Sequence, residues 1–176
     1  MKRVSLYKEL FDDVDSNLIK FKKDESESKL NINTIKYETS VCNLEKMCYM
    51  MECVILRRKF EGCIYAGFQK ISRAKAVWDR FLKMADNVDK IYVYGVLDEK
   101  LESHPNIQIV PLTPMHPLTR EWFLVFNTKF NKNMMVAYDQ DGFGVKPIEK
   151  DRNFIGIKTV NLKVIDKAIN LLENAM

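Results

Sequence analysis

Histidine, proline and glycine are all scarce in this chain of 176 residues, with two, five and six copies. So few breakers leave little room for disorder or long irregular linkers, and one ordered domain with a substantial core is expected. Both histidines, His104 and His116, precede prolines in loop-like stretches, and no nucleophile or orienting acid accompanies either in a catalytic motif. There is no phosphate-binding P-loop, no G-x-G-x-x-G and no G-x-S-x-G. The four cysteines, Cys42, Cys48, Cys53 and Cys63, form no C-x-x-C pair, so neither a zinc site nor a disulfide scaffold is expected. They read as reduced thiols serving as small core hydrophobes. No apolar run approaches the ~20 residues that cross a bilayer. Lys2 and Arg3 are followed at once by Glu9, Asp12, Asp13 and Asp15, so no signal peptide is expected; the reading is a cytoplasmic domain with no membrane partner. A net charge of +4 is too mild to imply nucleic acid.

What is present is a strongly patterned α/β chain, 47% hydrophobic. Tyr7, Leu10, Phe11, Val14, Leu18 and Phe21 recur at helical spacing and predict an amphipathic helix from Ser5 to about Lys23. The polar stretch from Lys22 to Lys29 follows as a linker. A second helix is expected from about Thr34 to Lys59, with Arg57, Arg58 and Lys59 in its last turn and Gly62 as its stop. The period then shortens. Strands are predicted at 63–68, 91–96, 107–110, 122–126, 134–138 and 154–160, about six in a mixed sheet. Ser72 is read as the cap of a third helix running to about Asp86, and Asn161 as the cap of a final one. The strand–helix–strand order over 63–96 predicts a parallel unit, and the continuous apolar run Ile91–Val96 a central strand buried on both faces. Trp122–Phe126 and Met134–Tyr138 are close enough to pair antiparallel. The chain is divided into residues 1–30, helix and linker, and residues 31–176, an α/β domain.

Three segments could carry chemistry. Met47, Cys48, Met50, Met51 and Cys53 could line a sulfur-rich pocket or suit Cu(I), but their helical spacing fits core packing as well. Asp139-Gln140-Asp141-Gly142 begins like a calcium loop and then fails, because Phe143 and Lys150 stand where oxygen donors are needed. It reads as a loop able to cover a pocket. Arg120-Glu121-Trp122 joins a proline-rich loop to a strongly apolar strand, and offers a charge, an acceptor and a flat wall for a planar or anionic ligand.

Four stretches together resemble the DICT domain, a sensory module associated with diguanylate cyclases and two-component systems. They are Ala66–Gln69, Val93–Asp98, Pro117–Val125 and Phe154–Thr159. The resemblance spans about residues 30 to 176. It implies a signalling role, with a histidine kinase or diguanylate cyclase as partner. No kinase, cyclase or helix-turn-helix segment is recognisable within these residues, so any signal is expected to leave through a partner. The last stretch continues Thr159-Val160-Asn161 where the family pattern would have Thr-Phe-Asp, which puts a shared role for position 161 in doubt.

The expectation is therefore a non-catalytic sensory or regulatory domain that binds a small molecule or a signalling partner. Its candidate ligand-binding residues are Phe68, Gln69, Tyr94, Arg120, Glu121 and Trp122, with no catalytic residue and no metal expected and any cofactor left open. Gln69 and Arg120 would hold a polar edge, and Phe68, Tyr94 and Trp122 would enclose a flat part. Two rivals stand beside it. An interaction module without a small ligand would have a filled core behind Trp122. A small enzyme would need Glu121, His104 or His116 beside a nucleophile in a cleft. The apolar stripe of the N-terminal helix is expected to seek a homodimer, since large exposed apolar patches are rare on monomers.

Overall fold

In a computed structural model describing residues 2–176, two helical layers enclose a mixed sheet of eight strands. The helices are α1 (Leu6–Leu10), α2 (Glu27–Leu30), α3 (Val41–Ile55), α4 (Trp78–Ala85) and α5 (Leu162–Glu173). The strands are β1 (Leu18–Lys20), β2 (Ile35–Ser40), β3 (Gly62–Lys70), β4 (Lys90–Val96), β5 (Ile107–Pro111), β6 (Glu121–Thr128), β7 (Asn131–Asp139) and β8 (Asn153–Thr159). The spatial order is β1-β2-β8-β7-β6-β3-β4-β5. β3 and β4 run parallel, as the strand–helix–strand pattern predicts, β5 joins them in the same direction without an intervening helix, and β6, β7 and β8 form an antiparallel meander.

Side chains alternate between two cores, because successive residues of a strand point to opposite faces. Ile64, Ala66, Leu124, Phe126, Met135 and Ala137 pack under α3 and α4. Tyr65, Phe123, Val125, Met134 and Val136 pack under α1 and α5. Asn161 caps α5 as its residue type predicts, its side-chain oxygen accepting from the amides of Lys163 and Val164.

All six expected strands are found, and β1 and β2 arise where helices were expected. The first helix spans only Leu6–Leu10, capped by Ser5 and followed by a 3-10 turn at Phe11–Asp13. Asp12, Asp13 and Asp15 sit where a longer helix would direct its negative dipole end. The second helix begins at Val41. Before it, Ile35, Tyr37 and Thr39 are buried on alternate positions, a strand period. Arg57, Arg58 and Lys59 fall beyond the helix, and Gly62 opens β3 at φ +128. A Cβ there would lie 2.2 Å from the Asn127 carbonyl, so close strand pairing requires this glycine. The third helix is also shorter, because Ile71–Val77 form a 3-10 run and Ser72 bonds Asp98 through both its amide and its hydroxyl. β4 is buried on both faces, with Ile91, Val93 and Tyr94 fully enclosed, but it lies second from the edge, because β6, β7 and β8 extend the sheet on the far side of β3.

The N-terminal stripe covers the chain's own sheet. Leu6, Leu10 and Val14 are buried beside α5, and Lys167 bonds both the Glu9 carbonyl and the Asp13 carboxylate. The stripe thus gives no reason for a dimer. Phe21 goes instead to the other core, where it stacks on Tyr37.

Candidate functional site

The six candidate residues reach three different places. Glu121 and Trp122 are neighbours in β6 and so face opposite sides of the sheet; one cavity cannot hold both. Glu121 is fully buried on the α1 side, where its carboxylate accepts from Ser5 Oγ (2.5 Å), Leu6 N (3.0 Å) and Tyr7 N (3.4 Å). Burial pushes its pKa up to about 7 against the opposing pull of those donors and of Lys8. Tyr94 lies on the same side, its hydroxyl donating to the Leu172 carbonyl at 3.1 Å and its ring packed on Phe123. Burial raises its phenol well above the usual range.

Gln69 and Arg120 meet at the end of β7. Gln69 sits at φ +66, where β3 slips register between Gly67 and Lys70. Its amide donates to Asp139 Oδ2 (3.2 Å) and accepts from Arg152 Nη1 (3.2 Å). Arg120 donates through Nε and Nη2 to the Asp139 backbone carbonyl at 3.2 and 2.5 Å. Asp139 and Arg152 are fully buried and form an ion pair. The aspartate also accepts from the amides of Asp141 and Gly142, which closes the turn that begins like a calcium loop. Gln69 and Arg120 therefore share one end of the sheet and one partner, but they stand behind the cleft.

Phe68 and Trp122 line that cleft. It encloses about 400 Å³ on the sheet face between α3 and the 71–85 helical segment. Ala66, Phe68, Trp122 and Leu124 form the floor, Cys42, Glu45, Cys48, Tyr49 and Glu52 one wall, and Arg73, Ala76, Val77 and Arg80 the other. Its size falls within the usual range for small-molecule sites. Phe81 meets Phe68 edge-on at 5.3 Å and fixes that ring. Small side chains at Ala66 and Ala76 leave the space open. Glu52 is buried and accepts from Arg80 Nε at 2.7 Å; burial raises its pKa and Arg80 counters the rise. Cys48 reaches the cleft from the sulfur-rich helix and contacts the Met135 sulfur at 3.3 Å. Burial lifts its thiol well above the usual value, so it is a wall rather than a nucleophile. Met47 and Met51 belong to the core.

Sequence reasoning missed Arg73, Arg80, Glu52 and Arg152 as parts of this region, and singled out Asp139 only as the start of a loop able to cover a pocket. Glu52 carried a signal, since it is a carboxylate on the buried stripe of α3. Arg73 carried none, because its position depends on the 3-10 run that brings it over Trp122 (6.0 Å) and Phe143 (4.8 Å). His104 bonds Asp86 at 3.1 Å, and His116 bonds the Lys2 carbonyl and the Leu118 amide; neither lines the cleft. Among the described residues no helix is long and apolar enough to cross a membrane.

A two-faced α/β domain with an aromatic-floored cleft and a buried ion pair behind it is the class of protein that these elements define. The chain belongs to the DICT family, the sensory domain in diguanylate cyclases and two-component systems, which matches residues 23–140. That span contains β2 to β7 and the whole lining of the cleft, and leaves the Phe154–Thr159 stretch outside it. No curated protein matches the chain. Among solved structures, the polyphosphate kinase from Porphyromonas gingivalis is similar over 86% of this chain at 11% identity and a TM-score of 0.53. This chain spans 24% of the length of that kinase, and the likeness is one of fold.

Proposed function

We propose that the chain senses a small molecule held in the cleft between α3 and α4, without covalent chemistry, and passes the signal to a two-component or diguanylate cyclase partner. The carrying observation is the cleft of about 400 Å³ floored by Phe68 and Trp122. A pure interaction module has no need of open space behind Trp122, so the cleft favours the ligand reading over it. Phe68 and Trp122 contact the ligand. Gln69 and Arg120 act at one remove by fixing Asp139, and Glu121 and Tyr94 hold the opposite helical layer to the sheet. Family membership supports the sensory role.

The test is native mass spectrometry of the chain purified from its own host. A retained small molecule that is lost from Phe68→Ala and Trp122→Ala, with the fold unchanged, is the expected result. An empty chain that instead carries a protein partner undisturbed by both substitutions would favour the interaction module.

A further inference from the structure

The cleft holds an unusual cation. Arg73 has a side chain only 25% exposed, yet its guanidinium donates no hydrogen bond to any described residue. The nearest carboxylate oxygen, Glu149 Oε2, is 3.8 Å away and lies 2.9 Å from Arg152 Nε, which holds it more closely. Burial lowers the pKa of Arg73, and the neighbouring Arg152 charge adds to the effect. Both disfavour the cation, and the charge of an incoming anion would offset them. Two other cations line the cleft: Arg80, paired with the buried Glu52, and Lys46 on α3, paired with the exposed Asp24.

We infer that the cleft takes a flat aromatic ring bearing a single carboxylate, with the carboxylate forked on Arg73 and the ring against Phe68 and Trp122. This rests on the reading of the cleft as a ligand site. A planar guanidinium matches a carboxylate through two parallel N–H donors. Arg73 lies over Trp122, so an acid bound there brings its ring onto the aromatic floor. Arg73, held only loosely by Glu149, is the lining cation most open to a ligand, and with Glu45 on the facing wall it fits a monoanion better than a di- or triphosphate.

Isothermal titration of the whole chain with 2-naphthoate, its neutral isostere 2-naphthamide and inorganic phosphate tests the class. The expected result is that the acid binds at least tenfold more tightly than the amide, while phosphate alone does not bind. Arg73→Gln should erase the difference, lowering acid affinity at least tenfold and leaving the amide unchanged. The acid-to-amide ratio on the unsubstituted chain needs no variant, so it decides even if Arg73→Gln folds poorly. Equal binding of acid and amide would overturn the anionic class while leaving the cleft as a ligand site. Tight phosphate binding would overturn the aromatic class in favour of a phosphate ligand. If neither naphthalene binds, the aromatic-acid class is overturned, and retention of a host molecule by mass spectrometry decides separately whether the cleft binds at all.

Discussion

Glu121 combines full burial with three hydrogen-bond donors from the N-terminal segment. Its carboxyl has a folded pKa of about 7 against an ordinary 4.5, with burial as the main cause. The folded domain therefore holds this proton more tightly than the unfolded chain does. The stability it contributes is complete below about pH 4.5 and is lost as the pH rises through 7. At 1.36 kcal/mol per unit the loss is about 3 kcal/mol at most. Urea unfolding at pH 5 and pH 8.5 should show the fall in the natural chain, and Glu121→Gln should flatten it. A Gln variant with the same slope would assign the pH dependence elsewhere. Of the six residues singled out from sequence, Glu121 was legible as a significant carboxylate but not as one facing away from Trp122. Strand alternation separates the two, and it could be applied only once the strand was known to begin at Glu121 rather than beyond it.

At the scale of elements, sequence periodicity worked where one period persisted and failed where two met. The strands from β3 to β8 each carry a clear apolar run, and each was legible. Ile35 to Ser40 alternates strictly and then joins α3 with no glycine or proline between. A helical reading absorbed it, because Ile35, like Val41 and Leu44, could be fitted to one long stripe. Leu18–Lys20 is an exposed edge strand of three residues, too short for any pattern to register. The N-terminal helix begins where expected but ends at Leu10 instead of near Lys23, and its stripe packs against α5 and the sheet beneath, so it needs no second copy to cover it. Leu10 is fully buried there. Leu10→Ala should cost about 2–5 kcal/mol of unfolding free energy, as for other enclosed leucines. Light scattering should report an unchanged mass for that variant. A stability loss below about 1 kcal/mol, or a change of mass on substitution, would mean that the stripe is covered by something other than its own sheet.

For the whole molecule, the two faces of the sheet divide the labour. The α1/α5 face is closed by paired aromatics and the Glu121 clamp, while the α3/α4 face keeps a cleft. Between them, at one end of the sheet, the buried Asp139–Arg152 pair ties β7 to the loop leading into β8, and Arg120 and Gln69 lock that junction. Removing one member of such a pair strands a charge, so this end is built to stay rigid. The cleft opens beside it, within reach of Arg73 and Phe143. A ligand on Arg73 would draw it away from Glu149, which Arg152 also holds, and so couple the cleft to the 140–152 loop. Only the meeting of Gln69 and Arg120 was legible in the sequence; the roles of Arg73, Asp139 and Arg152 were not, because they depend on contacts among residues far apart in the chain. The chain has two tryptophans, and the structure gives them separate duties. Trp122 forms the cleft floor, whereas Trp78 lies outside the lining and bonds the Glu102 carbonyl at 2.9 Å. The indole N–H resonances can therefore be followed by NMR as fractionated host metabolites are added. At least one fraction should shift the Trp122 signal in a saturable way while Trp78 stays in place as an internal reference. A Trp122 resonance that no fraction moves, in a chain stripped of any bound molecule, would contradict it.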